Sequence, residues 1–147
     1  MKKPLYYLIF LLLCGCAQSD EQRPLTENAR ICKGFLEDKG YDVLSYEGER
    51  TRTYTISDLT KLPAKEDWAV QSIEPEPYLN KEIHLVRFFV KGHPLDNEFQ
   101  EGKTSVTVMM WNREVIGGTS FPYSKHNDLL GGSYSLYGKT SEEMQSK

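Results

Sequence analysis

The segment Glu82–Lys91 constrains the fold more than any other stretch of the chain. On an extended backbone Val86, Phe88 and Val90 point to one face, while Ile83, Leu85 and Phe89 fall mostly on the other. A strand with one wet face alternates apolar with polar residues. One that is apolar on both faces needs a layer packed against each side. The segment is therefore expected to be a central strand.

The flanking sequence supplies the layers. Thr26 can cap a helix whose first turn holds Glu27 and whose left-handed end is Gly40; Cys32, Phe35 and Leu36 mark its apolar face, with Ile31 on the flank. Residues 41–46 and 50–56, separated by Glu47-Gly48-Glu49, read as a β-hairpin. Ser57 can cap a short helical turn over Asp58–Leu62 that Pro63 closes, and residues 68–73 read as a strand that ends before Glu74-Pro75-Glu76-Pro77. After the polar loop 92–103, residues 104–111 and 115–120 flank Asn112-Arg113, a two-residue hairpin turn. Gly117-Gly118 points to a bulge or close backbone packing, residues 122–130 form another loop, and residues 132–137 form a last strand. Residues 141–147 are expected to be a disordered tail. The order gives a single α+β domain over residues 25–140, with its N-terminal helix packed on an antiparallel sheet of about five to six strands.

The N-terminus carries an address. Lys2 and Lys3 precede the apolar run Leu5–Leu13, and the sequence turns polar directly after Leu13-Cys14-Gly15-Cys16. A basic n-region, a short h-region and a small residue before cysteine form a secretory signal. The run falls short of the roughly 20 residues that a membrane span needs. Leu13-Cys14-Gly15-Cys16 resembles the bacterial lipobox, with Leu at −3 and Gly at −1. Cys16 is thus the expected lipidation site; Cys14 would have the bulky Leu13 at −1. Residues 1–15 are read as the signal and residues 16–24 as the lipidated cysteine with a polar tether. Residues 17–24 reach about 28 Å at most. The expected partner is the membrane, through a diacylglyceryl anchor on the extracytoplasmic face. Removing Lys2 and Lys3 with no acid makes the exported part more acidic than the whole chain, whose formal charge is −3. An acidic chain without a basic cluster argues against nucleic acid. Of the three cysteines only Cys32 then keeps a free thiol, so no internal disulfide is available, and its helix places it in the core.

Candidate chemistry is sparse. His84, His93 and His126 have no partners at ligand spacing, so no metal or cofactor is expected. Neither Gly117-Gly118 nor Gly131-Gly132 belongs to a phosphate-binding loop motif. His93-Pro94-Leu95-Asp96 places an imidazole and a carboxylate in one turn, and Ser120 could complete a hydrolase trio with His93 and Asp96. However, Gly117-Gly118-Thr119-Ser120-Phe121 is not a nucleophile elbow. Tyr123 and Tyr134 lie on or beside late loops, where aromatic rings serve binding as well as cores. The leading expectation is a non-enzymatic, monomeric domain that binds an envelope protein, peptide or other component through His93, Asp96, Tyr123 and Tyr134. A small envelope hydrolase and an inhibitor or immunity-like protein are the alternatives.

Several residue series are carried together: Trp68-x-x-Gln71-x-x-x-Pro75, Phe89-Val90-Lys91-x-His93-Pro94-Leu95-Asp96, Gly117-Gly118-x-Ser120-Phe121-Pro122 and Gly131-Gly132-x-Tyr134-Ser135-Leu136-x-Gly138-Lys139-Thr140. Over roughly residues 30–140 the chain thereby resembles a group of small uncharacterised lipoproteins of Gram-positive, Bacillus-type bacteria, and its late hairpin is similar to a short domain of unknown function found there. The resemblance implies an anchored extracytoplasmic location and no activity, cofactor or catalytic residue. That group favours Asn-Gly or Asp-Gly at the turn where this chain has Asn112-Arg113.

Overall fold

A computed structural model describes residues 23–126 and 131–146. Cys14, Cys16 and most of the tether lie outside the described residues. Helix α1 spans Glu27–Asp38, and β1 spans Asp42–Thr53. The short α2 (Ala64–Ala69) precedes β2 (Glu82–Lys91), β3 (Thr104–Trp111), β4 (Glu114–Pro122), β5 (Tyr134–Ser135) and α3 (Ser141–Gln145). The five strands form one antiparallel sheet in sequential order, β1 to β5. The fold is α+β, as expected.

Helix α1 begins and ends where its caps dictate. Thr26 Oγ1 accepts from the Ala29 N–H at 3.0 Å. At the other end, the Gly40 N–H donates to Glu37 O and the Tyr41 N–H to Leu36 O, with Gly40 at φ +89. That pair of bonds is a Schellman ending. Ala29, Cys32 and Leu36 are fully buried against Val86, Phe88 and Val90 of β2 and Val106, Val108 and Met110 of β3. Burial pushes the Cys32 thiol up to about 12, with the Glu49 charge adding to it, so it is a small core hydrophobe rather than a nucleophile.

The opposite face of β2 holds Ile83 and Leu85, packed with Met109, Tyr54, Ala64 and Trp68. Around Ile83 and Leu85 the second face of β2 is thus covered as well, as their apolar character required.

Three local expectations are corrected. Residues 42–53 do not fold back at Glu47-Gly48-Glu49; they form one strand paired along the length of β2, from Asp42↔Lys91 to Thr53↔Glu82. Gly48, at φ +121, absorbs a bulge, and the register shifts twice, between Val43 and Ser45 and between Tyr46 and Gly48. Trp68 lies in α2 rather than a strand. Ala64 and Trp68, one turn apart, face the core together, and Pro63 opens this helix instead of closing the previous turn. The expected disordered tail contains α3, which carries a full capping box between Thr140 and Glu143.

The hairpin turn at Asn112-Arg113 has positive φ at both residues (51° and 65°), the primed geometry that suits twisted strands. Two β3 residues then face three on β4: Met109 pairs with Gly117 and Met110 with Val115, which leaves Ile116 as the bulge.

Candidate functional site

The α2 segment covers only part of its face of the sheet. Beyond Leu85 and Met109, two cross-strand rows continue on that face. One row is Arg87, Thr107 and Thr119, and the other is Phe89, Ser105 and Phe121. Apart from Phe89, these rows are the floor of an open cleft of about 640 Å³. One wall is the β1 bulge around Gly48, with Arg23 beside it. The opposite wall is Glu66 and Asp67 of α2 together with Ser133.

Many wall groups already have partners. Asp67 Oδ1 accepts from Ser133 Oγ at 2.5 Å, and Ser45 Oγ donates to Glu47 Oε1 at 2.6 Å. Glu49 turns to the other face, where it accepts from Thr26 Oγ1 at 2.5 Å and Asn28 Nδ2 at 2.7 Å and lies 2.7 Å from His84 Nδ1. Its partial burial raises the carboxyl pKa, but these hydrogen bonds and the imidazole outweigh that and hold it below the usual range. On the floor, Arg87 Nε donates to Ser105 Oγ at 3.0 Å. At the lower end Lys103 Nζ sits 4.7 Å from the Phe89 ring centroid and 4.0 Å from that of Tyr123, and the two rings meet edge to face at 5.2 Å. Among the described residues, the hydroxyls of Thr107 and Thr119, the terminal nitrogens of Arg87 and the side chains of Arg50 and Glu66 have no hydrogen-bond or ion-pair partner.

The sequence-expected residues divide. Tyr123 belongs to the aromatic end of this face. Tyr134 is half-buried in β5, its backbone paired with Ser120. His93 is buried and packs on the Tyr41 ring at 5.1 Å. Its Nδ1 accepts from the Leu95 N–H at 3.2 Å, which fixes the proton on Nε2, and Nε2 donates to Leu136 O at 3.0 Å. Asp96 Oδ2 accepts from the Gly92 and His93 N–H groups, and Oδ1 accepts from Thr104 Oγ1 at 2.7 Å. Ser120 Oγ donates to Ser135 O at 2.6 Å. His93, Asp96 and Ser120 therefore share a neighbourhood but not a relay. Ser120 and His93 fasten the successive carbonyls of Ser135, which ends β5, and Leu136, which follows it, and no hydrogen bond joins the imidazole to Ser120 or to the Asp96 carboxylate. His84 serves the Glu49 cluster, and His126 is exposed. Among the described residues no group of three or more His, Cys, Asp or Glu could hold a metal ion.

Sequence reasoning missed Arg87, Ser105, Thr107 and Thr119. The signal was the polar alternation of Ser105 and Thr107 between Thr104, Val106 and Val108, but only the register brings these residues into rows with Arg87 and Thr119.

Among the described residues no helix is long and apolar enough to cross a membrane. No family model, curated protein or solved structure matches the chain.

Proposed function

We propose that the chain is an extracytoplasmic lipoprotein, anchored through diacylglyceryl on Cys16, whose domain binds an envelope component without catalysing a reaction. The N-terminal sequence and the resemblance to Bacillus-type lipoproteins support the location. The observation that carries the binding reading is the half-uncovered sheet face, where the floor of a cleft presents polar groups without partners. Such groups cost little in water and are the usual means of fixing a ligand's orientation. Arg23 lines the cleft, and the chain between Cys16 and Arg23 can span at most about 25 Å. A ligand in the cleft would therefore be met near the lipid surface. With both His93 nitrogens and the Ser120 hydroxyl bonded to backbone groups, His93 and Ser120 do not form the nucleophile–base pair that hydrolase chemistry needs.

Two experiments test this. Cys16→Ser should move the protein from the membrane fraction to the medium or leave it as an unprocessed precursor. A variant processed normally and still membrane-bound would refute the anchor. A photo-crosslinking residue in place of Thr107 on the cleft floor should give a discrete adduct in the native host, and the same residue at exposed Lys65 should not. Absence of an adduct at Thr107 would refute the cleft.

A further inference from the structure

Three arginines surround Gly48. Arg87 on β2 is the direct partner of Gly48 on β1, and Arg50 is paired with Leu85, two positions along the same face. Diagonal neighbours of this kind have Cβ atoms within about 8 Å, so the long Arg50 side chain can reach toward Arg87, whose guanidinium rests 5.7 Å from the Phe89 ring centroid. Gly48 offers no side chain between them, and the space above it is taken by the third arginine. A Cβ on Gly48 would lie 3.1 Å from Arg23 Nη1, which itself donates to Glu47 O at 3.1 Å.

Three like charges at one rim repel each other, so a protein would ordinarily interleave carboxylates. Here the neighbouring acids are engaged elsewhere: Glu47 on Ser45, Glu49 on the far face and Asp67 on Ser133 across the cleft. Glu66 stands on the opposite wall near Gly132. Among the described residues none of Arg23, Arg50 and Arg87 is within ion-pair distance of a carboxylate. In a chain that is acidic overall, this is a local surplus of forked donors. Guanidiniums match the oxygens of phosphate bidentately, and a phosphate presents enough acceptors for more than one of them.

We propose that the rim around Gly48 binds a phosphate ester, held by Arg50 and Arg87 with Arg23 closing over it. The Thr107 and Thr119 hydroxyls lie along the floor for the remainder of the ligand. This inference rests on the cleft being a binding site and names the group that it recognises. The phosphate could belong to a lipid headgroup or to a soluble or polymer-borne ester, and the two sources are separable.

The full chain in neutral detergent is titrated with glycerol 3-phosphate, and the arginine Nε–H signals are followed by NMR. The Arg87 signal, held by Ser105, and the Arg50 signal should shift saturably. R50Q/R87Q should weaken binding at least tenfold, and R50Q alone, at an exposed position, should give a smaller loss. An equal response to sodium chloride at matched ionic strength, or unchanged titration of both variants, would overturn the proposal. In a second arm, flotation of the Cys16→Ser chain with phosphatidylglycerol vesicles but not phosphatidylcholine vesicles would assign the phosphate to a headgroup. Glycerol 3-phosphate binding without flotation would assign it to a soluble or polymer-borne ester. If the Thr107 crosslink forms undiminished in R50Q/R87Q, the phosphate inference fails while the cleft reading stands.

Discussion

Replacing Gly118 with alanine is expected to cost about 3 kcal/mol of stability, the upper end of the usual range for forcing a methyl group into a packed site. A Cβ at Gly118 would sit 2.5 Å from Thr107 O and 2.6 Å from Leu136 Cδ1. The first of these is backbone of the neighbouring strand, so β3 and β4 would have to separate, and Leu136 would be displaced from the core it shares with Val108 and Met110. Gly117 provides the comparison. A methyl there overlaps only the amide of Gln71, the far end of a flexible side chain. That amide donates to Gly118 O at 3.0 Å and accepts from the Gly118 N–H at 2.9 Å, so it occupies the edge of β4 like a strand neighbour. Gly117→Ala should therefore sacrifice that pairing alone, at about 1 kcal/mol. Urea unfolding midpoints at unchanged slope would measure both. A larger loss for Gly117→Ala than for Gly118→Ala would show that the close approach of β3 and β4 is not what requires glycine.

The same residues show why the fold could be read further than the site. The interior position of β2, the caps of α1 and the Asn112-Arg113 hairpin depend on signals within a few residues of one another: apolar residues on both faces, a capping threonine, a pair of turn residues. They could be read from the chain alone. Gly48 was ambiguous because positive φ serves a turn and a bulge equally, and only pairing with all of β2 decides between them. Trp68 misled because a six-residue helix is too short to display its period. The cleft had no local signature. Arg50 and Arg87 are distant in sequence and belong to the same rim only through a register set by two bulges. His93, Asp96 and Ser120 drew attention by residue type, yet types that catalyse are also the types that satisfy buried backbone.

His93 permits a sharp test of that last distinction. Its ring is buried and bonded at both nitrogens, to the Leu95 N–H and to Leu136 O. His93→Ala strands both backbone groups, each costing about 1–3 kcal/mol when left unsatisfied, so a loss of about 3 kcal/mol is expected. The pH dependence follows from the ring's environment. Burial pushes the imidazole below its ordinary value; the Leu136 carbonyl and the Asp96 charge oppose this without reversing it. As pH falls, the unfolded chain therefore takes up its proton first, near pH 6.5. The folded chain resists, because a proton on Nδ1 would face the Leu95 N–H. The stabilisation is complete above about pH 6.5 and declines as pH falls, until the folded state also protonates at its lower pKa. Glu49 is likewise held below its ordinary value, but a carboxylate's window opens two units or so lower. His93→Gln keeps a hydrogen-bonding side chain without the titration, so it should flatten the decline in stability just below about pH 6.5 while leaving the acid limb in place. An unchanged slope in that interval would mean that His93 does not hold its proton off in the folded chain, and the imidazole would again be a candidate base rather than a fastening for the segment after β5.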